Sequence, residues 1–145
     1  MTDRYDVLKL DNQLCFPLYA VSKEIVRKYK PFLDEIDLTY TQYITMMVLW
    51  EKQESLVKDL GEKLFLDSGT LTPVLNTLER KGYVTRRRSE NDKRDMYAVI
   101  TEKGMELREK ALTIPARLST CMPLEPEDAV TLYKILHKMM DHLDR

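Results

Sequence analysis

The run Leu66-Asp67-Ser68-Gly69-Thr70-Leu71-Thr72-Pro73-Val74-Leu75-Asn76-Thr77-Leu78-Glu79-Arg80-Lys81-Gly82-Tyr83-Val84-Thr85-Arg86-Arg87-Arg88 changes period partway, and that change decides the fold. Its first part is helical. Asp67 or Ser68 can cap it, Leu71, Leu75 and Leu78 form the buried stripe, and Gly82 bounds a helix that ends at about Lys81. Gly69 and Pro73 are tolerable because they fall near its start. From Tyr83 the residues become strand formers followed by charge. Met96–Ile100 is a second strand candidate, in which Tyr97 and Val99 share a face. The polar segment 89–95 between them is turn-like. A capped helix therefore leads directly into a charged β-hairpin long enough to project.

Working outward, residues 55–64 place Leu56, Leu60 and Leu64 at helical spacing, which predicts a short helix joined to the capped one at Phe65-Leu66. Thr39 and Gln42 form a capping box before a longer helix whose apolar face is Tyr43, Met46, Met47 and Trp50. Leu10, Leu14, Leu18, Ile25 and Tyr29 predict a first helix over about 12–30, ended by Pro31. Downstream, Thr101 opens a helix with Leu107, Ala111 and Ile114 on one face, ending near Pro115. A last helix starts around 125–128, with Ala129, Leu132, Tyr133, Leu136, Met139, Met140 and Leu143 as its stripe.

This order predicts a mainly α protein with a small β wing. Residues 39–100 form the winged helix-turn-helix, and 10–36 and 101–145 form helical arms within one domain, 1–145. The arms carry wider apolar faces than a small central domain can cover. Burial against a second copy, giving a dimeric winged helix-turn-helix, is the physical solution.

The net charge of −1 excludes a polycation or an acidic tail protein but says little about nucleic acid, because placement matters more than total. Between Glu79 and Asp95 seven basic residues face four acidic ones. That local excess sits on the hairpin beside the capped helix, where it suits phosphate and minor-groove contact. Arg86, Arg87 and Arg88 supply cations. Ser68, Thr70, Thr72 and Asn76 offer short polar side chains to base edges. Duplex DNA is the expected partner.

The chain's 145 residues are too few for two ordinary domains. Four glycines and six prolines argue against a glycine-rich nucleotide fold and against a disordered chain. The longest apolar run, residues 46–50, is too short for a membrane span, and no secretion signal follows Met1. A cytoplasmic, reducing setting is expected, in which Cys15 and Cys121 are free thiols rather than a permanent bridge. His137 and His142 do not align on one helix face for a metal.

Several stretches along the chain carry a resemblance. Asp92-Lys93-Arg94 followed by Ile100-Thr101-Glu102-Lys103-Gly104 resembles the MarR family of dimeric winged-helix regulators, whose pattern is Asp-x-Arg in the wing and then Leu-Thr-x-x-Gly; Ile100 replaces the leucine. Leu14-Cys15-Phe16, Tyr29, Thr39-Tyr40-x-Gln42-Tyr43, Leu49-Trp50-Glu51 and residues 66–73 resemble the OhrR branch, thiol-based repressors that sense organic hydroperoxides. The resemblance spans almost the whole chain. It implies that Cys15 is the peroxide-reactive thiol and that the Tyr29 and Tyr40 hydroxyls hydrogen-bond it across a dimer interface. It places Ser68, Thr70 and Thr72 on the recognition helix, and it implies that Arg94 enters the minor groove braced by Asp92. Cys121 lies where two-cysteine members carry a resolving cysteine.

The implied chemistry suits these residue types. A thiolate attacks the O–O bond and becomes a sulfenic acid, releasing an alcohol or water. Phe16, Tyr19, Met46 and Met47 could add apolar surface for an organic peroxide. Attack by a second thiol then expels water, forms a disulfide and releases DNA, and a thiol reductant reverses it. No metal, flavin or nucleotide cofactor is called for. Four alternatives stay open: a broader oxidant sensor, a regulator responsive to small aromatic ligands, a thiol peroxidase, and a structural or protein-binding winged helix. The sequence places no histidine or arginine beside Cys15 by motif, so a non-enzymatic regulator is the main expectation.

Overall fold

The computed structural model describes residues 3–143; the first and last two residues of the 1–145 span lie outside the described residues. Two 3-10 turns, Asp6–Leu8 and Leu10–Asn12, lead into α1 (Cys15–Asp34). The stop expected at Pro31 does not occur, and the helix runs on to Asp34. A proline this close to a helix end forfeits one backbone bond. The last turn is held by the buried Leu33 and by Lys30 Nζ pairing with Asp34 Oδ2 at 3.1 Å across the proline.

The capping box at Thr39 forms in full. Thr39 Oγ1 accepts from the Gln42 amide and Thr39 N donates to Gln42 Oε1, starting α2 (Tyr40–Lys52). This helix lies through the core. Tyr43, Met46, Val48, Leu49 and Trp50 are buried, whereas Met47, expected on the apolar face, is exposed. With core on most sides of α2, a single stripe does not describe it.

The helix expected over 55–64 begins instead as a strand, β1 (Glu54–Leu56), followed by α3 (Val57–Leu64). Phe65 adopts φ +56°, which reverses the chain before α4 (Ser68–Arg80). Asp67 is the cap of α4, its Oδ1 accepting from Thr70 N at 2.8 Å. Leu71, Val74, Leu75 and Leu78 are the buried face of α4. Gly82, at φ +85°, turns the chain into β2 (Val84–Arg88), and β3 (Met96–Ile100) returns. The sheet is antiparallel in the order β1-β3-β2, with Val84 opposite Ile100, Arg88 opposite Met96 and Glu54 opposite Val99.

The single helix expected from Thr101 to about Pro115 is two, α5 (Glu102–Ala111) and α6 (Ile114–Ser119). Pro115 falls in the first turn of α6, where its missing amide costs nothing. The break at Leu112 lets both Ala111 and Ile114 reach the core. Thr101 locks the wing to α5. Its Oγ1 accepts from Gly104 N at 3.0 Å and donates to the Gly82 carbonyl at 2.6 Å. Buried Trp50 Nε1 donates to the Gly104 carbonyl at 2.9 Å, tying α2 to the same point.

The chain ends in α7 (Pro126–Met140), of which no residue is buried. In α1 only Leu33 is buried. Leu14, Val21, Val130, Tyr133 and Ile135 stand exposed. Both terminal arms thus carry apolar faces that one chain leaves uncovered. Among the described residues no helix is long and apolar enough to cross a membrane.

Candidate functional site

The helix-turn-helix presents one face of α4 to solvent. Ser68, Thr70, Thr72 and Asn76 are all exposed on it, and its leucines point the other way. Ser68, Thr72 and Asn76 follow at intervals of four and share a stripe. Gly69 stands in the first turn with no positive φ, and a Cβ there would meet only Asp67 Oδ1 at 3.4 Å. Nothing in the fold demands a glycine there. A groove of about 580 Å³ runs beside this end of α4, between α3 and the wing, and includes Lys58, Ser68 and Arg94 in its lining.

The wing sorts its cations into two sets. Arg86 Nη2 donates to Asn76 Oδ1 at 2.7 Å and to Glu79 Oε1 at 2.9 Å, so it clasps β2 to α4. That hydrogen bond and charge hold the Glu79 carboxyl below its usual range. Arg87 Nη2 donates to Glu54 Oε2 at 2.8 Å, and its guanidinium lies 4.4 Å from the Tyr97 ring centroid. Arg88 and Arg94 lie nearer the tip. Arg88 Nη1 donates to the Lys93 carbonyl. Arg94 is 91% exposed, with Nε and Nη2 each 3.2 Å from a different oxygen of Asp92. Its backbone amide also donates to Asp92 Oδ1. These bonds from Arg94 hold the Asp92 carboxyl below the usual range, the side-chain bond contributing most. Asp92 therefore holds the Arg94 guanidinium with both of its carboxylate oxygens.

Cys15 opens α1 and Cys121 follows α6; both are exposed free thiols. The structure does not bring them together within one chain. At 1.5 Å per residue, the 20-residue α1 puts Cys15 about 30 Å from the opposite end of that helix. Cys121 belongs to that opposite end. Arg117 Nη1 pairs with Glu35 Oε2 at 2.7 Å, its guanidinium sits over the Phe32 ring, and the Cys121 thiol donates to the Arg117 carbonyl at 3.7 Å. A disulfide needs Cα atoms within about 7 Å, so a bond inside one chain is excluded by the length of α1.

Tyr29 and Tyr40 do meet, with ring centroids 4.9 Å apart, and Tyr43 joins them at 5.7 Å and 6.4 Å. Burial, reinforced by its two tyrosine neighbours, pushes the Tyr29 hydroxyl up to about 12. Burial also raises Tyr40 and Tyr43. These hydroxyls stay protonated donors throughout the physiological range. Among the described residues of one chain, no hydrogen bond joins either Tyr29 or Tyr40 to Cys15. Of the apolar residues expected nearby, Phe16, Tyr19 and Met47 are exposed, but Met46 is wholly buried in the core and unavailable. Met47 lines a groove of about 340 Å³ with Tyr43, Trp50, Arg108 and Leu112. No cluster of three or more His, Cys, Asp or Glu among the described residues could hold a metal.

Sequence reasoning missed Glu54, Glu79 and Arg117. The two acids are the partners of Arg87 and Arg86. Alternation along β2 hinted that consecutive arginines face different neighbours. Nothing local marked the long-range pairing of Arg117 with Glu35.

A capped helix-turn-helix beside a basic hairpin, carried on helical arms, defines a winged-helix transcriptional regulator. Comparison with known proteins narrows the class. A family model described as "Transcriptional regulator SarA/Rot" matches residues 27–111. The chain is 44% identical to the organic hydroperoxide resistance transcriptional regulator of Bacillus subtilis strain 168, over 99% of this chain and 97% of that protein. It superposes on reduced AbfR bound to DNA with a TM-score of 0.78 at 32% identity, covering 97% of this chain and 98% of the other. On disulfide-formed AbfR the TM-score is 0.66, again at 32% identity, covering 96% and 95%. The chain belongs to the MarR/OhrR-like family of redox-sensing transcriptional regulators. Its relatives are regulators and not enzymes, which sets the thiol peroxidase alternative aside.

Proposed function

We propose that the chain is a repressor that binds operator duplex DNA as a reduced homodimer and lets go when Cys15 is oxidised by an organic hydroperoxide. The observation that carries this is the placement of Cys15: an exposed thiol at the first residue of α1, on an arm whose apolar face is uncovered. A second copy covering that face would surround the thiol with apolar surface while keeping it near solvent. Tyr29 and Tyr40 of the opposite subunit are the intended donors to its sulfur, and their raised ionisation keeps them protonated for that role.

The Cys15 thiolate attacks the terminal peroxide oxygen. The O–O bond breaks, the sulfur becomes a sulfenic acid, and the alkoxide leaves as an alcohol after taking up a proton. The thiolate of Cys121 of the partner subunit then attacks that sulfur, forming the S–S bond and expelling hydroxide, which is protonated to water. The length of α1 keeps the two thiols of one chain apart, which supports a pairing between subunits. Ser68, Thr70, Thr72 and Asn76 enter the major groove. Arg88 and Arg94 contact the backbone and minor groove, with Arg94 aimed by Asp92, while Arg86 and Arg87 shape the wing. The closer superposition on DNA-bound AbfR, whether reduced or overoxidised, than on its disulfide form supports a DNA-binding conformation here.

The test is a mobility-shift assay on the DNA upstream of the protein's own gene, with reduced protein and with protein treated with organic hydroperoxide or hydrogen peroxide. Non-reducing gels of the same samples follow covalent dimers. The expected result is release by the organic hydroperoxide with a covalent dimer that Cys121→Ser abolishes. Release without a covalent dimer refutes the two-cysteine step, and release from Cys15→Ser protein refutes the sensor. The groove at Met47, with Arg108 beside aromatic rings, gives a second reading as a site for a small aromatic acid. Its mark is an aromatic acid that dissociates DNA from the Cys15→Ser variant.

A further inference from the structure

Between Val84 and Ala98 the wing has one buried residue, and it is a serine. Ser89 is 8% exposed, whereas every other residue of 85–97 is exposed or half-buried. Its hydroxyl serves the tip of the hairpin. Ser89 Oγ accepts from the Asn91 amide at 3.2 Å and, at a longer 3.5 Å, from the Asp92 amide, one for each lone pair of the oxygen. The same residue closes the loop through its backbone, Ser89 N donating to the Asp95 carbonyl at 2.9 Å. Asp95 N in turn donates to the Asp92 carbonyl at 3.0 Å. Asp92 is thereby held at its amide by Ser89 and at its carbonyl by Asp95. From that fixed position its carboxylate takes Arg94 N at 3.0 Å and two guanidinium nitrogens at 3.2 Å.

We infer that Ser89 is a positioning residue for DNA binding: its buried hydroxyl folds the wing tip into the shape in which Asp92 aims Arg94, and it sets affinity without reaching the duplex. Two observations separate this role from support of the wing as a whole. Strands β2 and β3 are paired by their own backbone ladder from Val84–Ile100 to Arg88–Met96, and Thr101 fastens the wing base, so the hairpin stands without the hydroxyl. The amides that Ser89 Oγ holds lie beyond the last strand pair, in the loop that carries Arg94. Arg94 is 91% exposed, and among the described residues Asp92 alone holds its guanidinium. A long side chain restrained before it meets the duplex gives up less freedom on binding, whereas one released at its root must be ordered by the DNA itself. Ser89 is uncharged, so its removal leaves the cations of the wing in number as they are. The inference rests on the DNA-binding reading above and adds to it a residue that acts through Asp92 and Arg94.

The experiment is a double-mutant cycle on the reduced full-length protein. Binding to the duplex upstream of its own gene is measured at one fixed salt concentration for wild type, Ser89→Ala, Arg94→Ala and the two together. Ser89→Ala should weaken binding about tenfold over the two wings of the proposed dimer, and by less than about twofold once Arg94 is alanine. Hydrogen exchange followed by NMR reads the loop directly. In free Ser89→Ala the amides of Asn91 and Asp92 should exchange faster, while those that pair β2 with β3 keep their protection. Equal losses of affinity in the two backgrounds would make the serine a support of the whole wing and overturn the inference. So would unaltered affinity in Ser89→Ala, unaltered exchange at Asn91 and Asp92, or exchange that quickens along β2 and β3 as well. If wild type binds no duplex, the DNA-binding reading itself falls and takes the inference with it, an outcome distinct from wild-type binding with equal losses in the cycle.

Discussion

Gly104→Ala should cost substantial stability, although alanine is the better helix former. The new Cβ would collide with the Tyr83 carbonyl oxygen and come within 2.9 Å of Ile100 Cγ1. Both are held. The Tyr83 oxygen accepts from Thr101 N at 3.0 Å, and Ile100 lies in β3 paired with Val84. Relief requires α5 to lift off the wing base, which strains the Thr101 bond to the Gly82 carbonyl as well. Overpacking of this kind costs about 1–3 kcal/mol, and one weakened backbone bond adds about 1 kcal/mol. The gain in helix propensity returns at most about 1 kcal/mol. The net loss is about 2 kcal/mol, which lowers the melting temperature by roughly 6 °C in a chain of this size. Thermal and urea unfolding at one fixed protein concentration measure it, since the proposed dimerisation would make apparent stability depend on concentration. Gly69→Ala is the internal control. Its Cβ would meet only one side-chain oxygen at 3.4 Å, so folding stability should hold or rise by up to about 0.5 kcal/mol. Equal stabilities for the two variants would refute the steric reasoning.

The same Gly69→Ala protein should bind DNA more weakly despite its intact fold, because a methyl would stand between the first turn of α4 and the duplex; unaltered affinity in a shift assay would show that the backbone does not approach closely. Arg94→Ala should weaken binding to all duplexes alike and reduce the slope of log affinity against log salt by about two across the proposed dimer, one for each wing; a change confined to one base position would contradict the minor-groove role. Tyr29 ionises in the folded state only at about 12, against 10.0 for a free tyrosine. A folded-state value raised above the unfolded one gives stability that is full below pH 10 and lost as pH climbs toward 12. Stability against alkali should therefore fall across that window in urea titrations, and Tyr29→Phe should flatten the fall.

What the sequence revealed depended on the range of the interaction that fixed each element. The Thr39–Gln42 box, a cap at Asp67 or Ser68 and the helix boundary at Gly82 depend on interactions within a few residues, and all were legible. The strand Glu54–Leu56 was not. Three residues are too few for a period, and they become a strand only because β3 offers Ala98 opposite Ser55. Pro31 misled for the opposite reason. Its local rule is sound, but Leu33 in the core and the Lys30–Asp34 pair outweigh one lost bond. Met47 was misplaced because α2 is packed on most of its circumference. At the site, residue types identified the cations correctly but not their partners. The division between Arg86 and Arg87, held by acids, and Arg88 and Arg94, near the tip, exists only once α4, β1 and the wing are assembled.

That assembly also suggests why one thiol at the start of α1 could govern a wing. Tyr29 projects from α1 against Tyr40 and Tyr43 of α2, and Tyr43 meets Trp50 edge-on at 6.2 Å further along the same helix. Trp50 in turn holds the Gly104 carbonyl, three residues from Thr101, whose bond to the Gly82 carbonyl fastens α5 to the wing base. Tyr43 and Trp50 are buried, Tyr29 and Tyr40 partly so, and α2 carries every link from Tyr29 to Gly104. A close-packed helix responds to displacement at one end by moving as a body, not by bending around it. Oxidation that repositions α1 against its tyrosines would therefore be felt at Trp50. The discriminating perturbation is Trp50→Phe, which keeps a smaller aromatic ring and takes the indole donor from the Gly104 carbonyl, at a cost of about 1–3 kcal/mol in stability. If α2 transmits the signal, this variant should still form the covalent dimer with organic hydroperoxide yet release DNA less completely. Full release at an unchanged peroxide dose would mean that oxidation acts on the two wings through the dimer arms alone.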